Sequence, residues 1–154
     1  EDMGIERYLI TSSVNGVLAQ RLVRKLCEQC REPVQATDEI MVGHGLRRFM
    51  KSADNVIYQA VGCEACKHTG YKGRTGIHEL FVLDSAMHAA ILAGADATTL
   101  HATARRHGMY TLVEDGLRKV ARGVTSIEEL LRVTLDQQDE ESVSATSGAL
   151  DLTT

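Results

Sequence analysis

The sequence predicts an α+β fold, mainly helical. Capped, glycine-ended segments fill the chain after residue 84, and β-prone runs border two Cys-x-x-Cys knuckles. The apolar stock is aliphatic: of 154 residues 44% are hydrophobic but only 4% aromatic, with two Phe, four Tyr and no Trp. A core of Leu, Val, Ile, Ala and Met favours packed helices. At this length the chain makes one ordinary domain or two small ones.

Residues 1–26 read as a helix, a brief extended piece and a second helix. Gly4 ends or interrupts the first element, and Ser12 or Ser13 is placed to cap the second helix. On a helical wheel Leu18, Ala19, Leu22, Val23 and Leu26 share one side and Arg21, Arg24 and Lys25 the other. That basic side is either a solvated face or one turned to phosphate, acidic lipid or a partner subunit. Pro33 stops a helix from resuming after the first knuckle, and Asp38 is placed to cap a short helix over 39–50, weakened by Gly43 and Gly45. Residues 55–61 read as a strand. Gly70, Gly73 and Gly76 mark irregular backbone, and 77–83 read as a second strand. Four helices come next. Asp84 opens one that Gly94 ends, and Asp96 or Thr98 opens another that Gly108 ends. Thr111 with Glu114 and Thr125 with Glu128 have capping-box spacing; the first box opens a helix that Gly123 ends, the second one that reaches about Leu135.

The net charge of −4 is uneven. Five of the 21 acids lie in residues 136–154, which hold no base, leaving 17 bases against 16 acids elsewhere. A neutral body is a poor footprint for a general nucleic-acid binder, so no nucleic-acid partner is expected. The acidic tail, 136–154, is expected to be disordered. No apolar run approaches the ~20 residues of a membrane span, and no signal peptide is visible. The chain starts at Glu1 without an initiator Met and enters structure at once, as a piece of a longer protein would.

The chemistry concentrates in Cys27-Glu-Gln-Cys30 and Cys63-Glu-Ala-Cys66, which use every cysteine in the chain. Two such knuckles supply four thiolates, a tetrahedral set suited to structural zinc; iron–sulfur and a pair of redox dithiols are the alternatives. Four ligands leave no open position for water or substrate, so a zinc ion here is structural. Cysteines used in this way suit a reducing compartment, which places the chain in the cytoplasm.

No catalytic set is visible. No window matches GxxxxGK[ST], and His78-Glu79 starts a zincin motif that Val82 breaks. His44, His68, His78, His88, His101 and His107 are scattered, with His68 the one near the thiols. Arg74 lies among glycines. It suits either a local ion pair, with Glu79 or the thiolates, or an anion contact.

These blocks together resemble the C-terminal region of the bacterial type II secretion ATPases, the general secretory pathway E proteins, within the type II/IV secretion and pilus-assembly ATPase family. The matching residues are Gly16-Val-Leu-Ala-Gln-Arg-Leu-Val-Arg-Lys-Leu-Cys27, Cys30, and Gly62-Cys-Glu-Ala-Cys-Lys-His-Thr-Gly-Tyr-Lys-Gly-Arg-Thr-Gly-Ile-His-Glu-Leu80. Shorter blocks lie at 108–119, 123–125 and 128–134. The resemblance implies the end of a RecA-like ATPase core over 1–26, a zinc subdomain over 27–66 and a strand plus a helical C-terminal subdomain over 67–135. It also implies a hexameric, cytoplasmic parent beneath the inner membrane, working with membrane platform proteins. That parent would use ATP and Mg2+ to assemble a pseudopilus and export proteins. Arg74 and Arg21 become candidate nucleotide-proximal residues. The Walker boxes are missing from this chain, so it is expected to be inactive alone. The same region of a type IV pilus-extension ATPase is the close alternative; a zinc-ribbon nucleic-acid or scaffold module and a thiol oxidoreductase are alternatives of other classes.

Overall fold

A computed structural model describes residues 4–50 and 55–134. The expected tail over 136–154 lies outside the described residues. The fold is mixed α/β and forms two compact units: residues 1–20 with 78–115, and residues 21–77 with 116–154. The strands are β1 (Gly16–Leu26), β2 (Glu32–Gln35), β3 (Val56–Gln59) and β4 (Tyr71–Val82). The helices are α1 (Arg7–Ser13), α2 (Ser85–Leu92), α3 (Ala97–Arg106), α4 (Leu112–Ala121) and α5 (residues 127–134). β1 pairs with β4, and β2 pairs antiparallel with β3, setting Pro33 opposite Tyr58. Among the described residues each sheet has two strands, so Pro33 sits on an edge, where a missing amide donor is tolerated.

The helix expected over the second half of 1–26 is a strand. Val23 is fully buried while Leu22 beside it is 58% exposed, which is the two-faced pattern of a strand. Pairing with β4, which begins 45 residues after β1 ends, overrides a helical wheel that is only a weak prior. Ser12 therefore caps nothing downstream; its hydroxyl donates to Leu9 O inside α1 (3.1 Å). β4 also starts earlier than expected, at Tyr71, taking up most of the glycine-rich stretch.

The short helix expected over 39–50 is a π-helical turn, Glu39–Gly43, followed by a 3-10 turn, Leu46–Phe49. Gly45 between them takes φ +73°. The cap is Thr37, whose Oγ1 accepts from Ile40 N (3.3 Å), rather than Asp38.

The later helices obey their caps. Asp84 accepts from Met87 N (2.9 Å) and Asp96 from Thr99 N (2.7 Å). Thr111 and Glu114 form both halves of a capping box, at 3.2 and 3.1 Å. Gly94, Gly108 and Gly123 all have positive φ, and behind each the next residue's amide reaches back five residues to close the helix end. α5 departs from expectation in one respect. Its cap is Ser126, which accepts from Glu129 N (3.2 Å), while Thr125 donates to Arg24 O (2.8 Å).

In the first unit α1 packs on α2 and α2 on α3, over a core of Leu83, Met87, Ala104 and Met109. In the second, Val23, Leu26, Ile57, Ile77, Leu117, Val120 and Leu130 are buried. No helix among the described residues is long and apolar enough to cross a membrane.

Candidate metal centre

β1 delivers Cys27 directly, and the amide of Cys27 donates to Gly70 O (2.9 Å), just before β4. The chain then turns tightly: the amides of Cys30 and Arg31 both donate to Cys27 O, at 3.3 and 2.9 Å. The second knuckle is a single 3-10 turn, Glu64–Cys66, held by Cys66 N and His68 N on Cys63 O. Lys67 and His68 then take left-handed φ of 54° and 60° in succession. This contorted path turns backbone amides toward sulfur. Cys63 N and Gly70 N both donate to Cys66 Sγ at 3.2 Å, and Gly62 N donates to Cys30 Sγ at 3.3 Å. His68, the histidine near the thiols, contributes its backbone amide to the turn.

The four sulfurs converge. Cys27–Cys63 is 3.9 Å, Cys30–Cys66 and Cys63–Cys66 are 3.8 Å, and all four lie within 4.8 Å of one another. A disulfide needs about 2.0 Å, and all four thiols are free. A tetrahedral ion with metal–sulfur bonds of ~2.3 Å has sulfur–sulfur edges of about 3.8 Å, so the donor set fits one such ion. The geometry is that of one cluster, not of two separate dithiols. Cys27 and Cys66 are buried and the other two half-buried, which leaves little room for a fifth ligand.

The thiols are electrostatically unequal. Burial pushes Cys30 up to about 12. Burial acts the same way on Cys66, but the amides of Cys63 and Gly70 outweigh it and bring Cys66 down to about 6.

A polar lattice surrounds the cluster's supports. Glu129 in α5 is fully buried, and its carboxylate accepts from Arg24 N (3.0 Å), Arg24 Nε (2.9 Å) and Arg132 Nη2 (2.7 Å). Burial raises its pKa, yet the Arg132 and Arg24 donors overcome that and hold it at about 2. Arg24 also stacks over the Tyr71 ring (4.1 Å), and Tyr71 Oη shares a 2.7 Å hydrogen bond with Ser126. Arg31 stacks over Tyr58 (4.7 Å) and donates to Gly123 O. Arg21 donates to Val133 O (2.6 Å). Two arginines of the expected basic face are thus bonded within the protein. Sequence reasoning missed Glu129, Ser126 and Arg31. The only available signal for Glu129 was its spacing to Arg132, which reads as an ordinary surface helix pair.

Arg74 lines a cavity of about 210 Å³ with Arg24, Thr69, Tyr71 and Gly73, and Arg21 is not among its lining residues. The carboxylate of Glu79, one partner considered for Arg74, accepts from Leu112 N (3.1 Å).

The sequence that carries these elements matches a family of proteins. The chain belongs to the Type II/IV secretion system protein family, whose profile matches residues 1–132. It is 46% identical over 133 residues to Type II secretion system protein E of Aeromonas hydrophila, covering 86% of this chain and 26% of that protein. It is 47% identical to the Type II secretion system ATPase E of Vibrio cholerae, again over 86% of this chain and 26% of the relative. Against the Type IV pilus assembly ATPase PilB of Thermus thermophilus it is 44% identical over 88% of this chain and 15% of the relative. The chain thus spans about a quarter or less of the curated relatives it matches.

Proposed function

We propose that this chain is the zinc-binding C-terminal portion of a hexameric, cytoplasmic P-loop ATPase that powers pseudopilus assembly and protein export by type II secretion. The observation that carries the metal part is the set of 3.8–3.9 Å sulfur–sulfur separations, which suit Zn2+ held by Cys27, Cys30, Cys63 and Cys66. Zinc, when bound, supplies no chemistry here beyond cross-linking the two knuckles. The chain's own residues do the rest: the amides of Gly62, Cys63 and Gly70 stabilise thiolate, and β1, β2, β3 and β4 present the ligands. The secretion part is supported by 46–47% identity to the two protein E relatives.

In the parent protein, ATP and Mg2+ would bind to residues not contained in this chain, which has no GxxxxGK[ST] loop. Residues 1–26 are assigned to the edge of the ATPase core, 27–66 to the metal subdomain and 67–135 to the strand and helical end. Arg74 is the stronger nucleotide-proximal candidate, because its cavity has room for an anion. Arg21 is the weaker one, its guanidinium already donating to Val133 O. The parent would lie in the cytoplasm, peripheral to the inner membrane, held there through partners among the platform proteins.

A second reading, the same region of a type IV pilus-assembly ATPase, is favoured by the 44% identity to PilB. Chimaeras separate the two. This chain replaces the corresponding region of the Aeromonas protein E, and separately that of PilB, each in a strain lacking the native gene. Restored secretion with failed pilus assembly supports the first reading, and the reverse supports the second. Folded chimaeras inactive in both would contradict both.

A further inference from the structure

We propose that Arg31 is a positioning residue that couples metal occupancy to the order of residues 123–134. The inference rests on reading the four cysteines as a zinc site. Arg31 is the first residue after the first knuckle, and its amide is bonded to Cys27 O at 2.9 Å, so its place is set by the turn that brings Cys27 and Cys30 together. Its side chain leaves the knuckle, lies over the Tyr58 ring at 4.7 Å and donates to Gly123 O. Tyr58 is itself fixed by pairing with Pro33.

Gly123 is the receiving end. It closes α4 with φ +66° and opens the link to α5. A β-carbon there would stand 2.6 Å from Tyr58 Cδ2 and 3.1 Å from Arg31 Nη1, so ring and guanidinium already occupy that space. Leu26 N donates to Val124 O at 2.9 Å one residue later, and Leu26 directly precedes Cys27. The knuckle and residues 123–124 therefore share contacts from both sides, and a cation that fixes the Cys27–Cys30 turn also fixes the donors. Arginine suits this task because its planar head stacks and donates at once; lysine does not. Linkage requires the converse: an ordered 123–134 segment tightens metal binding by the same factor.

The test uses the 154-residue chain loaded with Zn2+, compared with Arg31→Ala and Arg31→Lys. Amide hydrogen exchange is read at 124–134, with residues 85–106 as internal reference. Zinc affinity is read by competition with a chromophoric chelator. The coupling predicts exchange at 124–134 about tenfold faster in loaded Arg31→Ala, no change at 85–106, and zinc affinity about tenfold weaker, with Arg31→Lys close to Arg31→Ala. A purely structural Arg31 would loosen 124–134 and leave zinc affinity unchanged, which overturns the coupling while zinc still binds. Unchanged exchange in loaded Arg31→Ala overturns it equally. A chain that binds no zinc at all overturns the metal reading, and the coupling with it.

Discussion

At the residue scale, Glu129 is a fully buried carboxylate paired with Arg24 and Arg132. Its ionised form is stabilised by Arg132 and Arg24 against the burial that opposes it. A carboxylate held at about 2 against an ordinary 4.5 stabilises the fold fully above pH 4.5 and loses that contribution as pH falls toward 2. Replacing Glu129 by Ala leaves arginines that are 43% and 58% exposed and can recover solvent, so the loss falls at the low end for a buried pair. Urea unfolding at pH 7 should show Glu129→Ala destabilised by about 3 kcal/mol. Glu129→Gln against wild type should show a gap that narrows as pH falls from 4.5 toward 2, because the carboxylate of the unfolded chain takes a proton there first. A gap constant with pH would show that the charge is not what Glu129 supplies. Gly116 gives a second prediction. In an exposed helix Gly→Ala gains ~1 kcal/mol. Here the added β-carbon would collide with the fully buried Leu130, so Gly116→Ala should lose roughly 1–3 kcal/mol instead, read as a lowered urea midpoint.

Elements differed in how well the sequence announced them. Helix ends were legible because caps are local: Asp84, Asp96, the Thr111–Glu114 box and the glycines at 94, 108 and 123 all act within a turn of where they stand. β1 was not legible, because its partner β4 begins 45 residues after its end and a wheel of Leu18, Leu22 and Leu26 imitates a helix. Thr37 and Ser126 each cap from one residue beside the expected position, since neighbouring polar residues compete for the same amides. The knuckles were legible as a spacing, but the amide-to-sulfur bonds from Gly62, Cys63 and Gly70 depend on left-handed turns at Lys67 and His68 that no local rule signals. Those turns make an element-scale prediction. Stripping the metal should release protection from amides at 62–63 and 70 before it affects α2 and α3, as read by hydrogen exchange after chelator addition. Equal loss in α2 and α3 would show that the site supports the whole chain and not its own turns.

For the molecule as a whole, the family was readable from residues in a way the electrostatics were not. The blocks around Cys27 and after Cys66 are each contiguous in sequence, whereas Glu129 meets Arg24 across 105 positions. The fold places those same blocks around one cluster of four free thiols and builds two compact units from interleaved parts of the chain. The central claim is that this cluster is a closed metal site. The direct measurement is zinc content by plasma mass spectrometry on the purified chain, paired with a count of reactive thiols before and after chelation. A structural tetrathiolate site predicts a zinc-to-chain ratio near one, and thiols that react only once chelator is added. Fully folded, metal-free protein with four thiols reactive from the outset would contradict it.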